Sequence, residues 1–176
     1  MPQRRRCCTA NIVDSGERRE FESGAVRDVA EGKGRCDLLP LDIVADALDY
    51  YSESWDKVQG SHDPLKAVYR FMESQNPNDL YHAIIAFSIH NSMDFPVLLL
   101  EVSKHFEDGA KKYGERNWEK GIPAHCYLDS AVRHYLKWYN DEDDERHDRA
   151  FCWNLLCLAW TLKHRPECND LWGEEK

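Results

Sequence analysis

From Pro40 onward, apolar residues recur at spacings of three and four, and almost every run opens on a proline or an acidic cluster. Leu41, Val44, Leu48, Tyr51 and Trp55 form the first stripe. Pro64 opens a second, with Leu65, Val68, Tyr69 and Met72, and Pro77-Asn78-Asp79 opens a third, with Leu80, Ile84 and Phe87. Asp94, ahead of Pro96, is a candidate N-cap for a fourth segment reaching about Lys112. Pro123 opens a fifth, with Leu128, Ala131, Tyr135 and Trp138; the acidic stretch NDEDDE starts a sixth, with Phe151, Leu155, Leu158 and Leu162. That period belongs to a helix with one buried face. Proline suits a first helical turn because its missing N–H would have no partner there. No alternation long enough for a strand interrupts the series, so the expected fold is an all-α bundle of about six helices.

Residues 1–39 carry most of the breakers, with glycines at 16, 24, 32 and 34. They read as a flexible tail (1–15) and an irregular arm (16–39) with no regular helix, ahead of one helical domain that runs to residue 176. A hydrophobic content of 42% makes the chain globular, and a net charge of -9 argues against a sequence-independent grip on duplex nucleic acid. The same acidity is compatible with a site that holds a divalent cation and, through it, a phosphate. The longest apolar run, Phe95–Leu100, is far short of the ~20 residues that span a bilayer, and the basic start lacks a secretory h-region. Seven cysteines without a CxxC pair read as reduced thiols, so a cytoplasmic protein without a membrane partner is expected.

The densest chemistry lies in HFEDGAKKYGERNWEKG, residues 105–121, which is too polar for a core segment and too aromatic for a linker. On the fourth helix Glu101, His105 and Asp108 share a flank, with Glu107 further round. On the sixth, a wheel extended backward from Phe151 brings Asp144, His147 and Asp148 near the core-facing line. Two helices offering acid and histidine at related levels have what a carboxylate-rich Mg²⁺ or Mn²⁺ site needs; a solvated helix end is the ordinary alternative. His134 stands on the fifth helix beside Asp129 and Arg133, where a hydrogen-bonded edge histidine is the ordinary reading. Lys111, Lys112, Arg116 and Lys120 form a basic cluster beside these acids, and acid, metal and base together suit phosphoryl chemistry. Trp118 offers a stacking face, with Asn117 or Asn154 to read a base edge; the bland alternative makes Trp118 a core plug. Gly32-Lys33-Gly34-Arg35 offers amides and two cations to an anion, though a simple turn accounts for it as well and P-loop spacing is missing.

EGKGRCDLLP, LLEVSKHFEDGAKKYGERNWEKGIP, YLDSAVRHYLKW and DRAFCWNLLCLAWT, in that order, resemble the phage and prophage dATP/dGTP diphosphohydrolase N-terminal domain family. The likeness covers residues 16–165, with 41–94 reading as a helical insertion and 95–165 as the site-bearing helices. It implies a metal-dependent, MazG-like all-α enzyme that cleaves a nucleoside triphosphate, a purine dNTP by the family's name, to monophosphate and pyrophosphate. The ExxE…ExxD pattern of MazG-like helices is not cleanly present. Glu107, Lys112, Tyr113, Asn117 and Trp118 match the family's first motif, Asp129, Arg133 and His134 its second, and Asp144, His147 and Asn154 its third.

On this reading Mg²⁺ or Mn²⁺ is held by Glu101, His105, Glu107, Asp108, Asp144, His147 and Asp148 or a subset of them. Glu107, His134 or Asp148 takes the proton from water. Lys33, Arg35, Lys111, Lys112, Tyr113, Arg116, Asn117, Trp118, Arg133 and Asn154 hold the nucleotide. Two rivals stand beside it. The His147-Asp148 dipeptide, with His134 and Asp170, would make an HD-type phosphohydrolase, and the same pocket without turnover would make a nucleotide-sequestering protein. A homo-oligomer is expected, with Trp55, Phe71 and Tyr81 as a dimer surface or as extra core.

Overall fold

The computed structural model describes residues 16–59 and 63–172, without the side chains of 55–59. The tail 1–15 and the Trp55 side chain lie outside the described residues. The chain divides into two compact units, up to Lys33 and from Gly34 onward. In the first, β1 (Arg18–Glu20) and β2 (Val26–Asp28) pair antiparallel as a short hairpin. Three-residue strands are too brief to show an alternating pattern, which is why the sequence read here as irregular.

The second unit holds six helices among the described residues: α1 (Leu41–Gln59), α2 (Pro64–Ser74), α3 (Pro77–His90), α4 (Phe95–Tyr113), α5 (Ala124–Tyr139) and α6 (His147–His164). Their starts follow from side-chain chemistry. The Asp63 carboxylate accepts the Leu65 and Lys66 amides, and the Asn76 side chain accepts that of Asn78, in each case beside a proline in the first turn. Asp94 does occupy the N-cap of α4, but its side chain accepts no capping bond; its carbonyl takes the Leu98 amide instead. α4 ends at Gly114 (φ 89), beside the expected end near Lys112, and one boundary differs from expectation. α6 begins at His147, after the acidic stretch, because Asp141 takes a left-handed conformation (φ 56) and residues 140–146 turn rather than coil.

The core is built around α3, whose residues Leu80 to Ser88 are all buried. α1, α2, α4 and α6 pack on it, and α5 lies along α6. Phe87 meets Trp138 at 4.8 Å and Phe151 at 4.9 Å between ring centroids, closing the α3–α5–α6 junction. Phe71 (0% exposed) and Tyr81 (4%) are therefore core residues and not part of a dimer surface. No single described helix is long and apolar enough to cross a membrane; α3 and α4 pass that test only as a pair bent by 104°.

The arm's basic stretch turns out to be a clamp. The Gly34 amide donates to Glu107 Oε2 at 2.9 Å and the Arg35 amide to the Ser103 carbonyl at 3.0 Å, fastening this segment across α4. Gly34 has φ +88, and a Cβ there would run into Ser103 Oγ and the Lys104 backbone nitrogen. The Arg35 guanidinium binds Asp37 and Glu115. The amide and the cation that an anion would need are thus already engaged within the fold.

Candidate functional site

α4, the loop after it, α5 and the start of α6 enclose a cavity of ≈ 460 Å³, within the range of small-molecule sites. His105, Asp108, Gly109 and Lys112 reach it from α4 because spacings of three, four and seven put them on one helical stripe. The loop adds Arg116, Asn117 and Trp118; His134 enters from α5, Asn154 from α6 and Glu145 from the turn between them. Tyr113, another sequence candidate, lies at the rim with the Lys112 ammonium 4.9 Å from its ring centroid.

One wall is aromatic. The loop coils into a 3-10 turn over Asn117–Lys120, flanked by Arg116 (φ 52) and Gly121 (φ 100), and this tucks Trp118 inward. Its ring meets Trp160 at 4.9 Å and Phe106 at 5.7 Å, Tyr127 donates its hydroxyl to the Trp118 carbonyl, and only 5% of the residue is exposed. Trp118 is accordingly a core plug with a cavity-facing edge, not an exposed stacking platform. The indole N–H groups of Trp118 and Trp153 are buried without an acceptor. Trp153, also on the wall, packs against His105 at 5.6 Å.

The cavity also meets a paired-imidazole cluster, through His134. His147, almost wholly buried, places Nε2 2.8 Å from Asp144 Oδ1, and Asp144 Oδ2 in turn accepts from Lys137 Nζ at 2.8 Å. A carboxylate can only accept, so Nε2 carries a proton and Nδ1 is the ring nitrogen turned toward His134. Lys137 first and His147 second hold the Asp144 carboxyl down at about 2. His147 Nδ1 faces His134 Nδ1 at 3.0 Å. Glu145 completes the group: one ligand atom from each of His134, Glu145 and His147 lies within 4.8 Å of the others. Burial lowers the His134 pKa, as does His147, while the Glu145 charge opposes the shift. His105 is displaced the same way, by burial first and against the pull of Glu145, so its ring is neutral at pH 7.

The remaining sequence candidates are engaged elsewhere. Glu101, expected as a ligand, is bound by Lys104 and Arg149 and is kept ionised by both. Glu107, expected as base and ligand, is buried in the Gly34 clamp and paired with Lys111 at 3.0 Å, which also occupies that lysine. Asp148 faces Arg146; burial raises its pKa, and the guanidinium more than reverses this. Neither Asp148, Glu101 nor Glu107 lines the cavity. Arg133 pairs with Asp129 on the exposed side of α5. Lys33 belongs to the hairpin unit, with Asp28 at 3.9 Å. Arg116 lines the cavity, but its guanidinium is shared between Glu119 and the Asp37 carbonyl. Asn154 gives its amide N–H to Ala150, which leaves its carbonyl oxygen as the group to offer a ligand. The HD arrangement does not assemble, because Asp170 is taken by His125 at the far end of α5.

Glu145 is the residue that sequence reasoning missed. Its signal was its place two residues before His147 in the acidic stretch, but a helical projection cannot register a group held by a turn. The set is one that could hold a divalent cation, two imidazoles and a carboxylate being ordinary ligands for first-row transition ions.

Residues 81–171 match the family described as dATP/dGTP diphosphohydrolase, N-terminal. This chain belongs to that family. The matched stretch carries the cavity from α4 to α6, whereas the hairpin, α1 and α2 precede it. No curated protein and no solved structure gives a match. The dATP/dGTP diphosphohydrolase family thus enters on sequence alone, and it meets a cavity lined by an aromatic wall, Lys112 and members of an imidazole–carboxylate cluster.

Proposed function

We propose that the chain hydrolyses a purine deoxynucleoside triphosphate to the monophosphate and pyrophosphate in this cavity, with a divalent cation held by His134, Glu145 and His147. The observation that carries the reading is that an imidazole of lowered pKa, His105, lines one cavity with the Lys112 cation and with two members of the ligand cluster, His134 and Glu145, in a member of this family. A bound divalent cation would supply charge neutralisation on the phosphates and a more acidic water. His105 accepts the proton of the attacking water, a role its depressed pKa permits at neutral pH. Water oxygen bonds to the α-phosphorus, the bond to the bridging oxygen breaks, and pyrophosphate leaves with the electron pair. Lys112 at the mouth balances the charge on the departing group. The base lies toward the Trp118–Trp153 wall, where the Asn154 carbonyl oxygen and Asn117 offer polar contacts.

The roles of two histidines are thereby exchanged relative to the sequence reading. His134 moves to the cation cluster, and His105 becomes the proton acceptor. The test is incubation with a panel of dNTPs and NTPs in Mg²⁺ and in Mn²⁺, with every product identified. Pyrophosphate and a purine dNMP are expected. Tripolyphosphate would favour the HD-type reading, and retained nucleotide without turnover would favour sequestration.

A further inference from the structure

We infer that the His134–Glu145–His147 cluster is selective for a borderline first-row transition ion, such as Mn²⁺ or Co²⁺, over Mg²⁺, and that Asp144 and Lys137 form its outer shell. The inference rests on the cation site of the proposed function but concerns metal identity. Three features carry it. First, the donors are mixed: two imidazole nitrogens and one carboxylate. Mg²⁺ prefers an all-oxygen octahedron and sheds water reluctantly, whereas imidazole suits the later ions.

Second, His147 is preset as a ligand. Its Nε2–H donates to Asp144, which leaves the Nδ1 lone pair directed at His134. Histidine ligands of metals commonly donate their other ring N–H to a carboxylate, which fixes the tautomer and raises basicity. Lys137 anchors that carboxylate from its second oxygen. The same lysine argues against the other local grouping, Glu142–Asp144–His147, because its ammonium lies 3.4 Å from Glu142 and 2.8 Å from Asp144 and occupies those acids.

Third, the two Nδ1 atoms are 3.0 Å apart. Neighbouring ligands at about 2.1 Å from one ion and at right angles to each other stand about 3 Å apart. His134 serves as a ligand once its proton sits on Nε2, a tautomer change with no net proton gain or loss. His134 and Glu145 also line the cavity, so coordination positions not filled by the chain would open toward it.

The test is a titration of the folded, metal-stripped protein with Co²⁺, followed by visible ligand-field absorption, and competition between Mn²⁺ and Mg²⁺ followed by Mn²⁺ electron paramagnetic resonance. One Co²⁺ per chain is expected, with Mn²⁺ preferred to Mg²⁺ at least tenfold. His134→Ala and His147→Ala should abolish the bands. Glu145→Gln should weaken Co²⁺ at least tenfold and Asp144→Asn by about 10–100-fold, while Asp143→Asn, in the same acidic turn, should change nothing. If the buried His147 cannot be replaced without unfolding, half-buried His134 and exposed Glu145 carry the test. Equal competition by Mg²⁺, unchanged bands in His134→Ala, or equal weakening in Asp143→Asn and Glu145→Gln would overturn the inference. Tight Co²⁺ binding without dNTP turnover would leave it standing and remove the hydrolase reading. Turnover that Mg²⁺ supports undiminished in Glu145→Gln would do the reverse.

Discussion

The middle of α4 and the α5–α6 turn carry the same kinds of residue, acids beside histidines, and the fold uses them in opposite ways. On α4, Glu101 is held by Lys104 and Arg149, and Glu107 by the Gly34 amide and Lys111. Those carboxylates fasten segments together. In the turn, Asp144 orients His147 while Glu145 stands among His134, His147 and His105 at the cavity. The difference lies in what faces each acid. On α4 cations and a backbone amide take up both acids, whereas in the turn Asp144 shares its carboxylate between the Lys137 ammonium and the His147 imidazole, and Glu145 faces imidazoles at the cavity.

The largest expected effect falls on the structural side. Trp118→Ala should cost about 3–5 kcal/mol, because it empties the wall between Phe106 and Trp160. Chemical denaturation measures it, and a nearly unchanged midpoint with a raised KM would restore Trp118 as a stacking surface. On the site side, His105→Gln should lower kcat/KM about 100-fold or more with melting temperature kept, since a positioned proton acceptor contributes about 10²–10⁴. Steady-state kinetics beside calorimetry would decide it.

The cavity histidines also predict a pH dependence. The folded-state pKa values of His105 and His134 lie below the ordinary 6.5. A depressed histidine contributes stability that is fully present above the unfolded value and is lost as pH falls through the folded one. Melting temperature should therefore drop as pH falls below about 6.5, and the drop should be shallower in His105→Gln. A profile flat from pH 7 to 5 in both proteins would contradict it. The smallest effect belongs to Arg133→Ala. Its partner Asp129 is on the exposed face of α5, so stability should change by under about 0.5 kcal/mol and kcat/KM not at all. A clear rise in KM would return Arg133 to the site.

Much of this was legible in the sequence, and the failures have physical causes. Apolar spacing and the prolines at 64, 77 and 96 located the helices, because period and N-terminal chemistry are local properties. The partners of Glu101, Glu107 and Asp148 were not readable, since Arg149 is 48 residues from Glu101 and Gly34 is 73 from Glu107. The backward helical projection from Phe151 found His147 but misplaced Asp144, which reaches the imidazole from a turn. Trp118 could not be told from an exposed aromatic because the 3-10 turn that buries it has no strong sequence signature.

The comparison between clamp and site rests on two acids, Glu107 and Glu145. The measurement that tests it most directly takes melting temperature and Mn²⁺-supported dGTP turnover, read as pyrophosphate by ³¹P NMR, on Glu107→Gln and Glu145→Gln side by side. Glu107→Gln should lose about 1–3 kcal/mol of stability, as expected when a buried charged hydrogen bond is weakened, and should keep its turnover per folded molecule. Glu145→Gln should keep its melting temperature and lose turnover. The opposite pattern, a stable Glu107→Gln without turnover beside a fully active Glu145→Gln, would contradict the account.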